Sequence, residues 1–423
     1  MSHSPSDATT LPPFDLAGLP LWLVERGLLG LPLGEQIGGF CQKVFDSGFP
    51  MKRVQMGMTT LHPRYGSHTF LWRAGADAVV HTPRERAVLS GDIYMKSPVY
   101  HMRSKGLLSL RRRLDRGEAD EFPVFSEMRS EGLVDYAAHI VPYDRRQAEV
   151  LAGDTAPSGQ ELDGIFFSCA TDRPEGFDEG QLDQVFQALP YLALSAKSRL
   201  TYDIASTVLG TYIGGDAGDR VLAGAIERGS AEAIRAIIWF SDLRGFTSLT
   251  DTLPRDLLVE TLDDYLEAMA APVHANNGQI LKIMGDGLLA TFDLTDRDDR
   301  AVCREALAAA AELRNAFPAF NEARKAAGKP IMDFGLALHM GEVFYGNIGA
   351  SDRLDFTVIG PAVNEASRIQ ALCRPLDRNI LVSSSFSASA SSEGGLESLG
   401  FHALRGVREP QELFGLVGQL GNP

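Results

Sequence analysis

The sequence predicts an α+β protein in two parts: a mixed α/β region, then a helical linker with a glycine-rich connector, then a ferredoxin-like sandwich. Three observations predict it. The chain has 423 residues, more than one hydrophobic core usually supports. Six glycines fall within 209–230, the pair Gly214-Gly215 among them, and punctuate the chain strongly. After Ala231 the apolar runs read strand, helix, two strands, helix, strands, helix, strand.

Residues 1–34 form a polar tail and a short helix. The start, MSHSPSDATTLPPFDL, lacks the basic segment and apolar stretch of a signal peptide. The Leu-rich stretch 16–34 carries Glu25 and Arg26 at its centre, which is too polar and too short for a membrane span. Residues 35–178 alternate helix and strand. Ile37, Phe40, Cys41 and Phe45 have helical spacing, and 69–72, 136–141 and 164–170 are strand-like runs. Arg111-Arg112-Arg113 reads as a solvated helix face, and His62, His68 and His101 do not have metal-ligand spacing. Residues 179–206 carry an apolar stripe (Leu182, Val185, Phe186, Leu189, Leu192) long enough to pair in part with a second chain, with Pro190 able to kink it. Gly214-Gly215-Asp216 has no phosphate-loop spacing, so 179–230 reads as helix plus connector.

The pattern sharpens in 231–423. Residues 236–240 form a strand, and Leu258, Leu262, Tyr265 and Met269 mark a helix over 254–271. The runs 279–284 and 288–292 meet at Gly285-Asp286-Gly287, a hairpin signal. An Ala-rich helix covers 300–320, a second strand pair is expected around Gly341 (332–340 and 343–348), and a helix at 363–372 precedes a strand at 380–383.

A net charge of -15 argues against nucleic-acid and anionic-membrane surfaces, which are held by clustered Lys and Arg. Cys41, Cys169, Cys303 and Cys373 form no CxxC pair and fit buried thiols in a reducing cytoplasm. A cytoplasmic chain without a transmembrane segment is therefore expected.

The candidate chemistry lies in four segments. In Trp239-Phe-Ser-Asp-Leu-Arg-Gly-Phe-Thr247, Asp242 ends an apolar strand and a glycine turn leads into a helix, a place suited to phosphate oxygens. Asp286, between two glycines, can point into the same cleft, and two carboxylates from adjacent strand ends offer the hard oxygens that Mg²⁺ prefers. Lys282 lies four residues earlier on the same strand face, about 13 Å away, in an otherwise apolar run. Asn364 and Arg368 share a helix face at i, i+4 and suit a ribose oxygen and a reacting phosphate. Taken singly, each is an ordinary cap, turn or solvated face.

Together, FSDLRGFT, ILKIMGDG, FTVIGPAVNEASR and LRGVREPQELF resemble the class III nucleotidyl cyclases, in the family's order and over about 233–416. The resemblance implies a ferredoxin-like cyclase catalytic domain. It implies that Asp242 and Asp286 hold two Mg²⁺ (or Mn²⁺) ions per site and that Phe246 and Thr247 lie in the triphosphate-contacting turn. Lys282 and Thr357 then read the base, while Asn364 and Arg368 orient the ribose and stabilise the transition state. A Lys donor fits adenine N1 and a Thr oxygen accepts from the exocyclic amine, which favours ATP. Guanylyl cyclases carry Glu and a small residue there. Where the family often supplies a C-terminal Lys, Gln411 stands, with Arg405 or Arg408 as substitutes.

The implied activity is that of an adenylyl cyclase, a phosphorus–oxygen lyase making cyclic AMP. A guanylyl cyclase and a catalytically silent nucleotide-binding regulator are the alternatives. His339 reads as a core histidine rather than a base. The family's site lies between two cyclase domains, so one copy per chain implies a homodimer. Residues 35–178 look like a GAF-type sensor domain for a small-molecule or protein signal, relayed through 179–230.

Overall fold

The computed structural model describes residues 14–116, 121–143, 164–390 and 395–417, and the chain divides into two compact units, Met1–Val208 and Leu209–Pro423. The first unit begins with helices α1 (Leu19–Leu28) and α2 (Leu33–Asp46). Strands β1 (Arg53–Thr59), β2 (Tyr65–Arg73) and β3 (Val80–Glu85) follow, then α3 (Asp92–Met95), α4 (Pro98–Lys105) and β4 (Ser109–Arg113). Helix α5 (Pro123–Ser130), strands β5 (Asp135–Pro142) and β6 (Gly164–Thr171) and the long helix α6 (Glu179–Ile213), up to Val208, complete it. The strands form one antiparallel sheet in the order β3-β2-β1-β6-β5-β4.

Every residue of the central strand β6 is buried. Ile165, Phe167 and Cys169 face the core built with α1, α2 and α6, while Phe166 and Ala170 face the core over α4 and α5. A strand covered on both faces reads as a continuous apolar run, which is why the sequence revealed it. The arginine run is a correction, because 111–113 belong to an edge strand rather than a helix. Arg111 donates to Asp135 at 2.8 Å, Arg112 to Glu121 at 2.9 Å and Arg113 to Asp115 at 2.7 Å. Charged side chains on an edge strand discourage pairing with another chain. His68 and His81 lie 2.9 Å apart by their ring nitrogens, and no metal-holding group of three or more His, Cys, Asp or Glu occurs among the described residues.

Helix α6 runs through Pro190 to Ile213, past the expected end at 206. After Gly214, in the left-handed region at φ +93°, a short helix α7 (Gly215–Leu222) follows, so the connector is largely helical. A side chain at Gly218 would lie 3.0 Å from the Gly210 nitrogen, so glycine here lets the two helices touch.

The second unit continues with β7 (Ala231–Arg244), α8 (Phe246–Thr250), α9 (Arg255–Ala275), the hairpin β8 (Gln279–Met284) and β9 (Gly287–Asp293), and α10 (Asp299–Ala326). Then come β10 (Asp333–Gly349), β11 (Leu354–Ile359), α11 (Pro361–Ala371), β12 (Ile380–Ser383), α12 (Ser384–Ala390), β13 (Leu396–His402) and β14 (Gln411–Leu416). The sheet order is β13-β14-β12-β10-β7-β9-β8, with β11 added on β10. Its β10-β7-β9-β8 core has the ferredoxin-like order expected. Helices α9 and α10 cover one face through Tyr265, Met269, Val302 and Leu313, while α7 and α11 cover the other through Ala217, Ala362 and Ala366.

The strand pair expected around Gly341 is instead the single 17-residue strand β10, whose partner hairpin strand is β11. Gly341 looks like a turn residue but serves packing. A Cβ there would lie 2.6 Å from that of Ala362, so its absence lets α11 lie on the strand. All four cysteines are free and buried, and no described helix is long and apolar enough to cross a membrane.

Candidate active site

Strand β7 delivers Asp242 to its end, in register with Gly287 of β9. Asp286 occupies the turn between β8 and β9, set by Gly285 at φ +67°, and its carbonyl accepts from the Leu243 nitrogen at 3.3 Å. The two carboxyls come within hydrogen-bonding reach of each other. Asp242 is pushed up to about 6, first by burial and then by the negative charge of Asp286. A side chain at Gly287 would stand 2.8 Å from the Ser241 carbonyl and 3.3 Å from Asp242 Oδ1, so only glycine leaves the carboxylate this room. Crowded, half-buried carboxylate oxygens are a donor set that suits Mg²⁺ or Mn²⁺, and a cation held by Asp242 and Asp286 would offset the repulsion between them.

Along β8, the Lys282 ammonium donates to Asp355 Oδ2 at 2.6 Å. The Lys282 partner holds Asp355 below the usual carboxylate range, and Arg353 lies 3.7 Å from its other oxygen. Thr357 stands two residues on from Asp355 in β11, hence on the same side of the strand. This explains a lysine in an apolar strand. Its charge is met by a carboxylate that sequence reasoning left without a role, and the available signal was the two-residue spacing from Thr357.

Helix α11 starts at Pro361 after Gly360, at φ +144°, and exposes Asn364 on the face it shares with Arg368. Neither side chain makes a hydrogen bond or ion pair among the described residues. The Arg368 guanidinium packs over Gly406, where a Cβ would come within 3.5 Å of it, in a turn flanked by the exposed Arg405 and Arg408. Gln411 opens β14. Phe246 begins α8 after Gly245, at φ +87°, and is partly buried against the core, while the Thr247 side chain lies outside those described. The structure thus sets Asp242 beside Asp286, pairs Lys282 with Asp355, with Thr357 two residues on in β11, and sets Arg368 against the 405–408 turn. Among the described residues, no hydrogen bond or ion pair joins one group to another. An apolar groove of about 690 Å³ between α9 and α10, lined by Ala268, Pro272, Phe317 and Phe320, contains none of them.

Residues 230–417 match the family model described as the adenylate and guanylate cyclase catalytic domain. An adenylate cyclase of Anabaena cylindrica is 37% identical over 164 residues, covering 38% of this chain and 32% of its own. Adenylate cyclase 1 of Rhizobium meliloti is 28% identical over 182 residues, covering 42% of this chain and 27% of its own. The chain therefore spans about a third or less of the length of these two relatives. A crystal structure of an adenylyl cyclase from P. aeruginosa is 25% identical, covers 45% of this chain and 97% of that chain, and superposes with a TM-score of 0.41.

Proposed function

We propose that the chain converts ATP to cyclic AMP and pyrophosphate, a reading supported by the match of residues 230–417 to the model of the adenylate and guanylate cyclase catalytic domain. The observation that carries this reading is the crowding of Asp242 against Asp286 at adjacent strand ends, which is costly unless a cation shares both. When bound there, two Mg²⁺ or Mn²⁺ ions lower the pKa of the ribose 3'-hydroxyl and neutralise triphosphate oxygens.

The chain's own groups bind and orient the nucleotide. Lys282 donates to adenine N1, Thr357 accepts from the exocyclic amine, and Asp355 keeps the ammonium in place. Asn364 holds the ribose so that its 3'-oxygen stands in line with the α-phosphate. Arg368, which makes no ion pair among the described residues, donates to the phosphate oxygens on which charge builds as the 3'-oxygen attacks and pyrophosphate leaves. The Phe246–Thr247 backbone meets the triphosphate, with Arg405 and Arg408 supplying positive charge that Gln411 lacks. The test is purified chain with Mg²⁺ or Mn²⁺ and either ATP or GTP, the cyclic product being separated by chromatography. Cyclic AMP is expected, and no cyclic product with either metal overturns the activity.

The site is completed by a second copy, with the aspartates from one chain and the base-reading and transition-state residues from the other. Mixing inactive Asp286→Ala and Arg368→Ala chains then restores about a quarter of wild-type rate, because half of the dimers are mixed and each has one intact site. No recovery would mean that each chain completes its own site. The first unit acts as a GAF-like sensor in a cytoplasmic protein, a reading that its six-stranded antiparallel sheet supports. Comparing the full chain with one starting at Leu209 tests it, and equal basal rates and equal regulation remove the sensor role. Cutting at 225 would be a poor test, since it deletes Ala217 and the Asp216 carboxylate that accepts from Tyr345.

A further inference from the structure

Ala362 and Ala366 of α11 rest on a sheet face made by Ala236, Ile238 and Val343. One polar ring interrupts that apolar floor, His339 of β10, 7% exposed and opposite Ile238 in register. Its Nε2 lies 3.6 Å from Glu365 Oε2, and its Nδ1 has no hydrogen-bond partner among the described residues. Burial lowers the ring to about 4, so it is neutral and carries a single N–H. With Nδ1 making no hydrogen bond among the described residues, the useful tautomer puts that proton on Nε2, toward the carboxylate. A buried ring nitrogen without a hydrogen bond costs stability that an apolar side chain would not. The compensating contact within reach is Glu365.

Glu365 follows Asn364 and precedes Arg368 by three residues, so it joins the sheet-facing side of α11 to the side presenting the transition-state pair. Ala362 and Ala366 set how close the helix sits, and Ile369 seats its C-terminal end beside Ala337, while the small side chains of the first turns resist rolling there only weakly. A roll of about 10° moves a side-chain head about 7 Å from the axis by roughly 1 Å, and a displacement of that size costs up to about a hundredfold in rate. Gly341 keeps ring and helix together, since a Cβ there would stand 3.3 Å from His339 Nε2 and 2.6 Å from the Ala362 Cβ. At 3.6 Å the contact is longer than a formed hydrogen bond. Substrate-free sites often hold such pairs loosely and tighten them in the complex.

We propose that His339 is a positioning residue, whose Nε2–H anchors Glu365 and so fixes the roll of α11 that aims Asn364 and Arg368 at the nucleotide. This rests on the cyclase reading above. The test uses the full chain with His339→Leu, His339→Gln, Glu365→Ala and the His339→Leu/Glu365→Ala double variant. His339→Leu should keep KM for ATP within about twofold and lower kcat about tenfold, while His339→Gln, which restores a donor, returns kcat to within about threefold of wild type. Glu365→Ala should match His339→Leu, and the double variant should be no worse than either single one. Unchanged kcat in His339→Leu, or losses that add in the double variant, overturns the proposal. Should His339→Leu fail to fold, the partly exposed Glu365 decides, and wild-type kcat in Glu365→Ala overturns it. A wild-type chain that makes no cyclic nucleotide overturns the activity instead.

Discussion

At the turn of the β8–β9 hairpin Asp286 meets Asp242, a like charge, and Asp242 rises to about 6. Four residues back along the same hairpin Lys282 meets Asp355, an opposite charge, and Asp355 falls below its usual range. One strand therefore carries an unbalanced site and a balanced one. In the proposed reaction positive charge from outside would complete the unbalanced end, so the chemistry should depend on it steeply. The balanced end has its charge settled within the chain and is left to discriminate by hydrogen bonds, so it should tune selectivity more than rate.

The sharpest way to break this comparison is to neutralise the acid end. Asp286→Asn should lower cyclase activity by at least about a thousandfold, the scale of removing a group that acts in the transition state. The same change should stabilise the fold near neutral pH. A carboxyl whose folded pKa is raised contributes stability that is full below its unfolded pKa and is lost as pH rises through the folded one, here between about 4 and about 6. Burial of Asp242, the larger cause of the shift, persists in the variant, so only the repulsion by Asp286 is relieved, and after solvent screening of a half-buried group the gain is at most about 1 kcal/mol. Thermal unfolding at pH 7.5 should therefore show a Tm a few degrees above wild type, with the difference shrinking toward pH 4. An active Asp286→Asn, or one destabilised at pH 7.5, would show that the two carboxylates are not crowded as described.

A smaller effect should follow at the base end. Lys282→Glu with Thr357→Gly should cut kcat/KM for ATP by about a hundredfold, two hydrogen bonds being exchanged for mismatched groups, while GTP use falls far less. Equal losses with both nucleotides would mean that these side chains do not read the base.

The acid end was more legible in the sequence than the base end, for a physical reason. Asp242 and Asp286 sit where strands stop beside glycines, and the buried stretches of β7 and β9 leave short continuous apolar runs that the glycine turns bound. The pairing of Lys282 with Asp355 joins residues 73 apart through an added strand, β11, which no local pattern announces. The continuous β10 was hidden because Gly341 resembles a turn residue, although it is there for the close approach of α11. In the first unit β6 was plain because both its faces are buried. The mostly exposed β3, with Pro83, and the arginine-rich β4 are edge strands whose polarity mimics loops and helix faces. His339 was read as a core histidine and is buried as expected. Its nearness to Glu365 depends on how a helix lies on a sheet, which spacing alone does not encode.

The smallest expected effect separates holding Lys282 from merely neutralising it. Asp355→Asn keeps the shape and a hydrogen-bond acceptor but removes the charge that orients the ammonium. The ion pair is partly exposed, with side chains 45% and 37% accessible, so its energy is modest and its value lies in direction. KM for ATP should rise about fivefold with kcat nearly unchanged, since reading the base contributes to binding before and during reaction alike. Because Lys282 depresses the Asp355 pKa, the carboxylate stays charged at every pH above its unfolded value and is lost only as pH falls through the lower folded one. The wild-type KM should accordingly show no Asp355 transition from pH 6 to 9, and raised salt should move it toward that of the variant as screening weakens the pair. If Asp355→Asn instead lowered KM, Asp355 would be competing with adenine for the ammonium, and the balanced end would be a restraint that the nucleotide has to displace.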